Sequence, residues 1–72
     1  MINAPKFIVD NNVGKLVKWL RLMGYDTHFF NGTSDSRLVA TALAEGKVIL
    51  TRDTQIIKRR VVISGQLKAV LI

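Results

Sequence analysis

The sequence predicts a small α/β domain: a three-layer, open parallel sheet of four strands joined by helices, in the order 2-1-3-4. Three observations carry this. Short apolar runs such as "FIV" (residues 7–9) and "VIL" (48–50) lack the apolar–polar alternation of a half-exposed strand, so both of their faces call for cover. Between them lie longer stretches whose apolar residues recur every three or four positions, the spacing of a helix with one buried face. The two kinds of stretch alternate along the chain, a β-α-β-α-β-α-β pattern that builds parallel sheets through right-handed crossovers.

The first strand is 7–9, running into Asp10. Asn11 and Asn12 follow as helix N-cap candidates, because an Asn side chain can accept from a free N–H of the first turn. Val13, Leu16, Val17, Leu20 and Met23 then recur at helical spacing, with Lys15, Lys18 and Arg21 largely on other faces. Gly24 closes this helix where a positive φ is needed. Residues 27–30 read as the second strand and "NGTS" as its turn. A second helix starts near Asp35 with Ser34 as its N-cap, shows Leu38, Val39, Ala42 and Leu43 inward, and ends at "EG" (45–46). After the third strand (48–50), "DTQIIKRR" makes a short third helix over 53–60. Residues 69–72 read as the fourth strand, with 61–63 the competing choice.

The 72 residues are expected to form one domain, 1–72. A chain of this size buries only about 60% of its unfolded surface, so its stability margin is thin. There is no cysteine, which excludes disulfides and thiolate zinc sites. Apolar residues at 49% and charged ones at 22% describe a globular chain. No apolar run approaches the roughly 18 residues that span a bilayer, and "MINAPKFIVD" lacks a signal peptide's apolar centre. A soluble, cytoplasmic setting without membrane partners is the expectation. Eleven basic residues against 5 acidic ones give a net charge of +6, which favours a polyanion as partner.

Ligands of open parallel sheets gather beyond the carboxyl ends of the strands, where the strand order reverses. With order 2-1-3-4 that place lies between the first and third strands, and Asp10 and Asp53 stand at their carboxyl ends. Asp53 could simply favour the start of the third helix, and Asp10 could hydrogen-bond the loop that follows it. As neighbours, however, two like charges repel unless a cation lies between them or one stays protonated. Asp35, opening the second helix, is a third carboxylate that can approach the same edge. Oxygen-only clusters suit hard cations, Mg2+ or Mn2+, which can activate water and stabilise the leaving oxygen of a phosphodiester. Lys15, Lys18 and Arg52 are the candidates for phosphate contact, whereas Lys58, Arg59 and Arg60 read as complements to a helix C-terminus. His28, with no second His or Cys, reads as structural; Trp19 and Tyr25 read as core or interface. No Walker or dinucleotide fingerprint is present, and Thr51, Ser34 and Ser36 lack a partner for nucleophilic catalysis.

"KFIVDNNVGKLVKWLRLMGYDT" followed by "EGKVILTRD" resembles the PIN-like ribonuclease domain of the Mut-seven C-terminal family. Gly14, Lys15, Leu16, Trp19, Leu20, Arg21, Gly24, Tyr25 and Asp26 match the family's first helix and following turn nearly in order; Thr51, Arg52 and Asp53 match its second motif. The resemblance covers about residues 6–60. It implies a PIN-type fold and metal-dependent hydrolysis of RNA, with Asp10 and Asp53 holding Mg2+ or Mn2+ and Asp35 assisting. Asp35 matches the first of an acidic pair whose second member is Ser36 here, and Arg37 replaces a commonly acidic neighbour. Family members continue into a second half, commonly with a cysteine-rich zinc ribbon, so these residues are expected to be the truncated N-terminal part of the family domain. An uncovered fourth strand, or the first helix, would then offer a homodimer contact. The competing functions are a catalytically weak RNA- or protein-binding module and a toxin-type nuclease.

Overall fold

The computed structural model describes residues 4–72. Strands β1 (Phe7–Asp10), β2 (Thr27–Phe30), β3 (Val48–Thr51) and β4 (Ala69–Leu71) form one all-parallel sheet in the order β2-β1-β3-β4, as the sequence predicts. Helix α1 (Lys15–Leu22) links β1 to β2, α2 (Asp35–Glu45) links β2 to β3, and two short helices, α3 (Thr54–Ile57) and α4 (Arg60–Ile63), link β3 to β4.

Alternation along the central strands splits the core in two. Ile8 and Ile49, paired in register, pack with Leu38, Val39 and Ala42 of α2, Ile56 of α3, and Leu67. Val9 and Leu50, the next pair, pack with Val13 and Val17 on the side of α1. Ile8, Val9 and Ile49 are wholly buried, which explains the unalternated apolar runs. Each such side chain contributes about 1.5–3 kcal/mol relative to an exposed position. These layers hold β1 and β3 rigidly side by side, and so fix where their ends lie.

Four local expectations are corrected. After β1 the chain makes a 3-10 turn (Asn11–Val13) capped by Asp10, and α1 starts only after Gly14. Asn11 and Asn12 therefore cap no helix; the Asn11 amide donates to Gly32 O at 3.3 Å and Asn12 Oδ1 accepts from Arg52 N at 3.2 Å. Met23 and Leu43 keep helical spacing but sit at the margins of their helices, exposed by 69% and 44%, instead of facing the core. The stretch 53–60 is not one helix: Arg59 is extended (φ −64°, ψ 143°), dividing α3 from α4, and 61–63 lies in a helix, not a strand. The break brings Val61 and Val62 against the core beside Ile56, and the β-branched residues there give up little helix propensity.

Other expectations hold. Ser34 Oγ accepts from Arg37 N at 3.3 Å as the α2 cap, and Gly24 and Gly46 adopt the positive φ (91° and 65°) that ends their helices. Tyr25 packs edge-on against Phe7, with ring centroids 5.3 Å apart, whereas Trp19 stands well exposed and is no part of the core. His28 Nδ1 lies 3.4 Å from the Lys47 ammonium, which can only donate, so the ring serves local structure. No helix of the described residues is long and apolar enough to cross a membrane.

Candidate active site

All four strands deliver their carboxyl ends to one edge, and the central pair, β1 and β3, meets at the point where strand order reverses. The register Ile8↔Ile49, Val9↔Leu50 leads directly to Asp10 beside Thr51. Both face the α2 side, two residues beyond Ile8 and Ile49. The Thr51 hydroxyl donates to Asp10 Oδ2 at 2.8 Å and accepts from Asp53 N at 3.0 Å. One buried hydroxyl thereby ties the first acid to the backbone that carries the second.

Asp10 is almost fully buried at 6% exposure, and its Oδ1 accepts a further bond from Asn11 N at 2.8 Å. A buried carboxyl group needs hydrogen-bond partners, and Asn11 N and the Thr51 hydroxyl supply two while leaving lone pairs free. Asp53 caps α3, its Oδ1 accepting from Gln55 N at 2.8 Å. The capping role considered from the sequence is thus real, and it engages one oxygen of the two.

Asp35 opens α2 behind the Ser34 cap and is half-buried. Its carboxyl is held above the usual 3.8, first by loss of solvent, then by the Asp53 carboxylate beside it, then by Asp10; the Arg59 guanidinium opposes them. The three predicted acids therefore gather at one edge of the sheet. Among the described residues, no three acidic or histidine side chains close on one point as a ready-made metal cage. The donor set fits a hard cation that takes one or two carboxylates and keeps several waters, the habit of magnesium, and not an all-protein site.

Of the predicted phosphate contacts, Lys15 and Arg52 come together, lining one cavity of about 380 Å³ with Asn11 and Asn12. Lys18 does not join them; it lines a separate hollow with Arg21 and Phe29. Sequence reasoning missed two participants. Thr51 entered only as a motif residue and a discarded nucleophile; a Thr facing the same way as a strand-end Asp was the available signal for its hydrogen bonds. Arg59 sat in a run of three cations, and nothing in that run marks which one turns toward Asp35.

Fold and site together define a class: a small parallel α/β domain with carboxylates gathered at the ends of neighbouring strands. The family model described as "Mut7-C RNAse domain" matches residues 5–71, and the chain belongs to that family. This membership points to a nuclease-like function. No curated protein and no solved structure matches the chain.

Proposed function

We propose that the protein is a Mg2+- or Mn2+-dependent ribonuclease that hydrolyses phosphodiester bonds of RNA at the carboxyl edge of its sheet. The observation that carries the reading is the convergence of Asp10, Asp53 and Asp35 on one edge, in a family of ribonuclease domains. Asp10 and Asp53 would hold the ion, with Asp35 beside them assisting. A bound divalent cation supplies water activation and stabilises the leaving oxygen.

The chain's own residues do the rest. Thr51 fixes the Asp10 carboxylate and the start of α3 relative to each other. Asp35 assists from beside Asp53, its affinity for a proton raised first by burial and then by the neighbouring carboxylates. Lys15 and Arg52 share a cavity in which their charges can seat a phosphate. Arg59 offsets the negative charge around Asp35. The net charge of +6 draws RNA to the molecule from a distance.

The test is cleavage of single-stranded RNA with manganese by the wild type and by an Asp10→Asn, Asp53→Asn double variant. Loss of a residue that only orients a metal ligand typically costs about 10–100-fold, so loss of both ligands should lower the rate by more than about 100-fold. Equal cleavage by the two proteins contradicts the reading, and RNA retention without cleavage favours the binding module instead. The β4 edge, with Val70 and Leu71 exposed, supports pairing with a second copy as a lesser proposal. A monomer mass in solution at micromolar concentration contradicts it.

A further inference from the structure

We propose that the groove between α1 and the edge strand β2 is a base-stacking subsite for single-stranded RNA, with Phe29 as the platform and Lys18 and Arg21 as the phosphate contacts. This deepens the ribonuclease reading above and rests on it for the identity of the polymer.

The groove is lined by Gly14, Val17, Lys18, Arg21, Leu22 and Phe29 and holds about 580 Å³, within the range of about 300–1,000 Å³ typical of ligand sites. Residues 14, 17, 18, 21 and 22 follow the three-and-four spacing of one helix face. Phe29 pairs with Val9 in register and so faces the α1 side of the sheet, where it remains 37% exposed. Because β2 is an edge strand, nothing among the described residues stands beyond it in the sheet.

Three features select a nucleic-acid strand over other occupants. First, the lining is apolar and cationic with no acid in it. The one ion pair among the described residues, Lys47 with Glu45, lies elsewhere, so Lys18 and Arg21 have no carboxylate partner among them. Second, Arg21 is already positioned: its Nε and Nη2 donate to Thr27 O at 3.3 and 3.1 Å, which fixes the guanidinium plane at the groove wall. A pre-set guanidinium loses less freedom on meeting a phosphate. Third, the groove abuts the cavity that holds the other predicted phosphate contacts, Lys15 and Arg52. Gly14 lines both this groove and the Lys15–Arg52 cavity, and a Cβ on Gly14 would stand 3.0 Å from Phe29 Cε1. The absence of a side chain at that junction leaves the ring its place between the two hollows. An aromatic face with flanking cations is the recurrent way of holding an unpaired base, whereas a duplex keeps its bases stacked on each other and out of reach.

The test is binding, without divalent cation, of a fluorescent single-stranded oligouridine and of a matched RNA duplex, followed by anisotropy. Phe29→Leu keeps an apolar side chain and removes the aromatic face; exposed Lys18→Gln removes one cation without touching the core. The expected result is about tenfold weaker single-strand binding by Phe29→Leu, in line with about 1–3 kcal/mol per stacked base. Lys18→Gln should weaken binding and flatten its salt dependence by about one phosphate contact. Unchanged single-strand affinity in both variants, or duplex binding as tight as single-strand binding, overturns the subsite. So does a dimer by sedimentation that Leu22→Glu dissociates and oligouridine does not, since the groove is then an interface between copies. These outcomes are separable from the cleavage test. Wild-type cleavage abolished by the Asp10 and Asp53 substitutions, together with Phe29-independent binding, removes the groove alone. Phe29-dependent binding without cleavage removes the nuclease reading alone.

Discussion

A threonine hydroxyl has one proton to give and lone pairs to offer, and Thr51 uses both, toward Asp10 and Asp53. Replacing it with Val keeps the shape and removes both bonds. The buried Asp10 carboxylate is then short of a donor, a loss of about 1–3 kcal/mol, and cleavage should fall by about 10–100-fold; urea denaturation and a rate assay check the two. Asp35 makes the opposite kind of prediction. Its folded pKa lies above its unfolded value, so between those values the folded state holds a proton that the unfolded state has released. The contribution of Asp35 to stability therefore falls as pH rises through that window, which begins at 3.8, and stays lowered at neutral pH. Asp35→Asn should abolish this fall, leaving the chelated protein more heat-stable at pH 7 than the wild type while slowing cleavage. An Asp35→Asn variant whose stability changes with pH across this range just as the wild type's does contradicts the assignment. At this scale the placement of Asp10 and Asp53 at one edge was legible because each follows a buried apolar run whose end the strand order fixes, although both also cap the turn or helix that follows. Thr51 was not, since its β-branched shape suits a strand whether or not its hydroxyl matters.

The elements were legible where a cap or a glycine marks them. Ser34 and Gly46 bracket α2 as the sequence suggests, and removal of the Ser34 hydroxyl by Ser34→Ala should cost about 0.5–2 kcal/mol in chemical denaturation. The segment after β3 was not legible. No Gly or Pro separates α3 from α4, and the division at Arg59 follows from burying Val61 and Val62 beside Ile56, a tertiary demand that outweighs local propensity. The entry to α1 misled for a related reason. Two asparagines after a strand look like caps, but their side chains reach 21 and 40 positions along the chain to tie down neighbouring loops. That division at Arg59 also sets where the guanidinium lies relative to Asp35, whose carboxyl it opposes in charge.

For the molecule as a whole, two thin sub-cores share one sheet, and a 72-residue chain has about 4–11 kcal/mol of stability to lose. Ile8→Ala, at a wholly buried position beneath α2, should remove about 2–5 kcal/mol and lower the melting temperature correspondingly. The same substitution loosens the strand that carries Asp10, so activity should decline with folded fraction. The excess of positive charge is a whole-molecule property as well, and it was legible as a count. Its arrangement was not: Lys15 and Arg52 came to one cavity and Lys18 to another only through the geometry of α1.

The central claim is that Asp10 and Asp53 act as one cation site. Titration of the protein with Mn2+, with free ion followed by its paramagnetic resonance signal, tests it without recourse to RNA. The expected result is one ion per chain for the wild type and at least tenfold weaker binding for Asp10→Asn and for Asp53→Asn alike. Unaltered manganese affinity in both variants would contradict it.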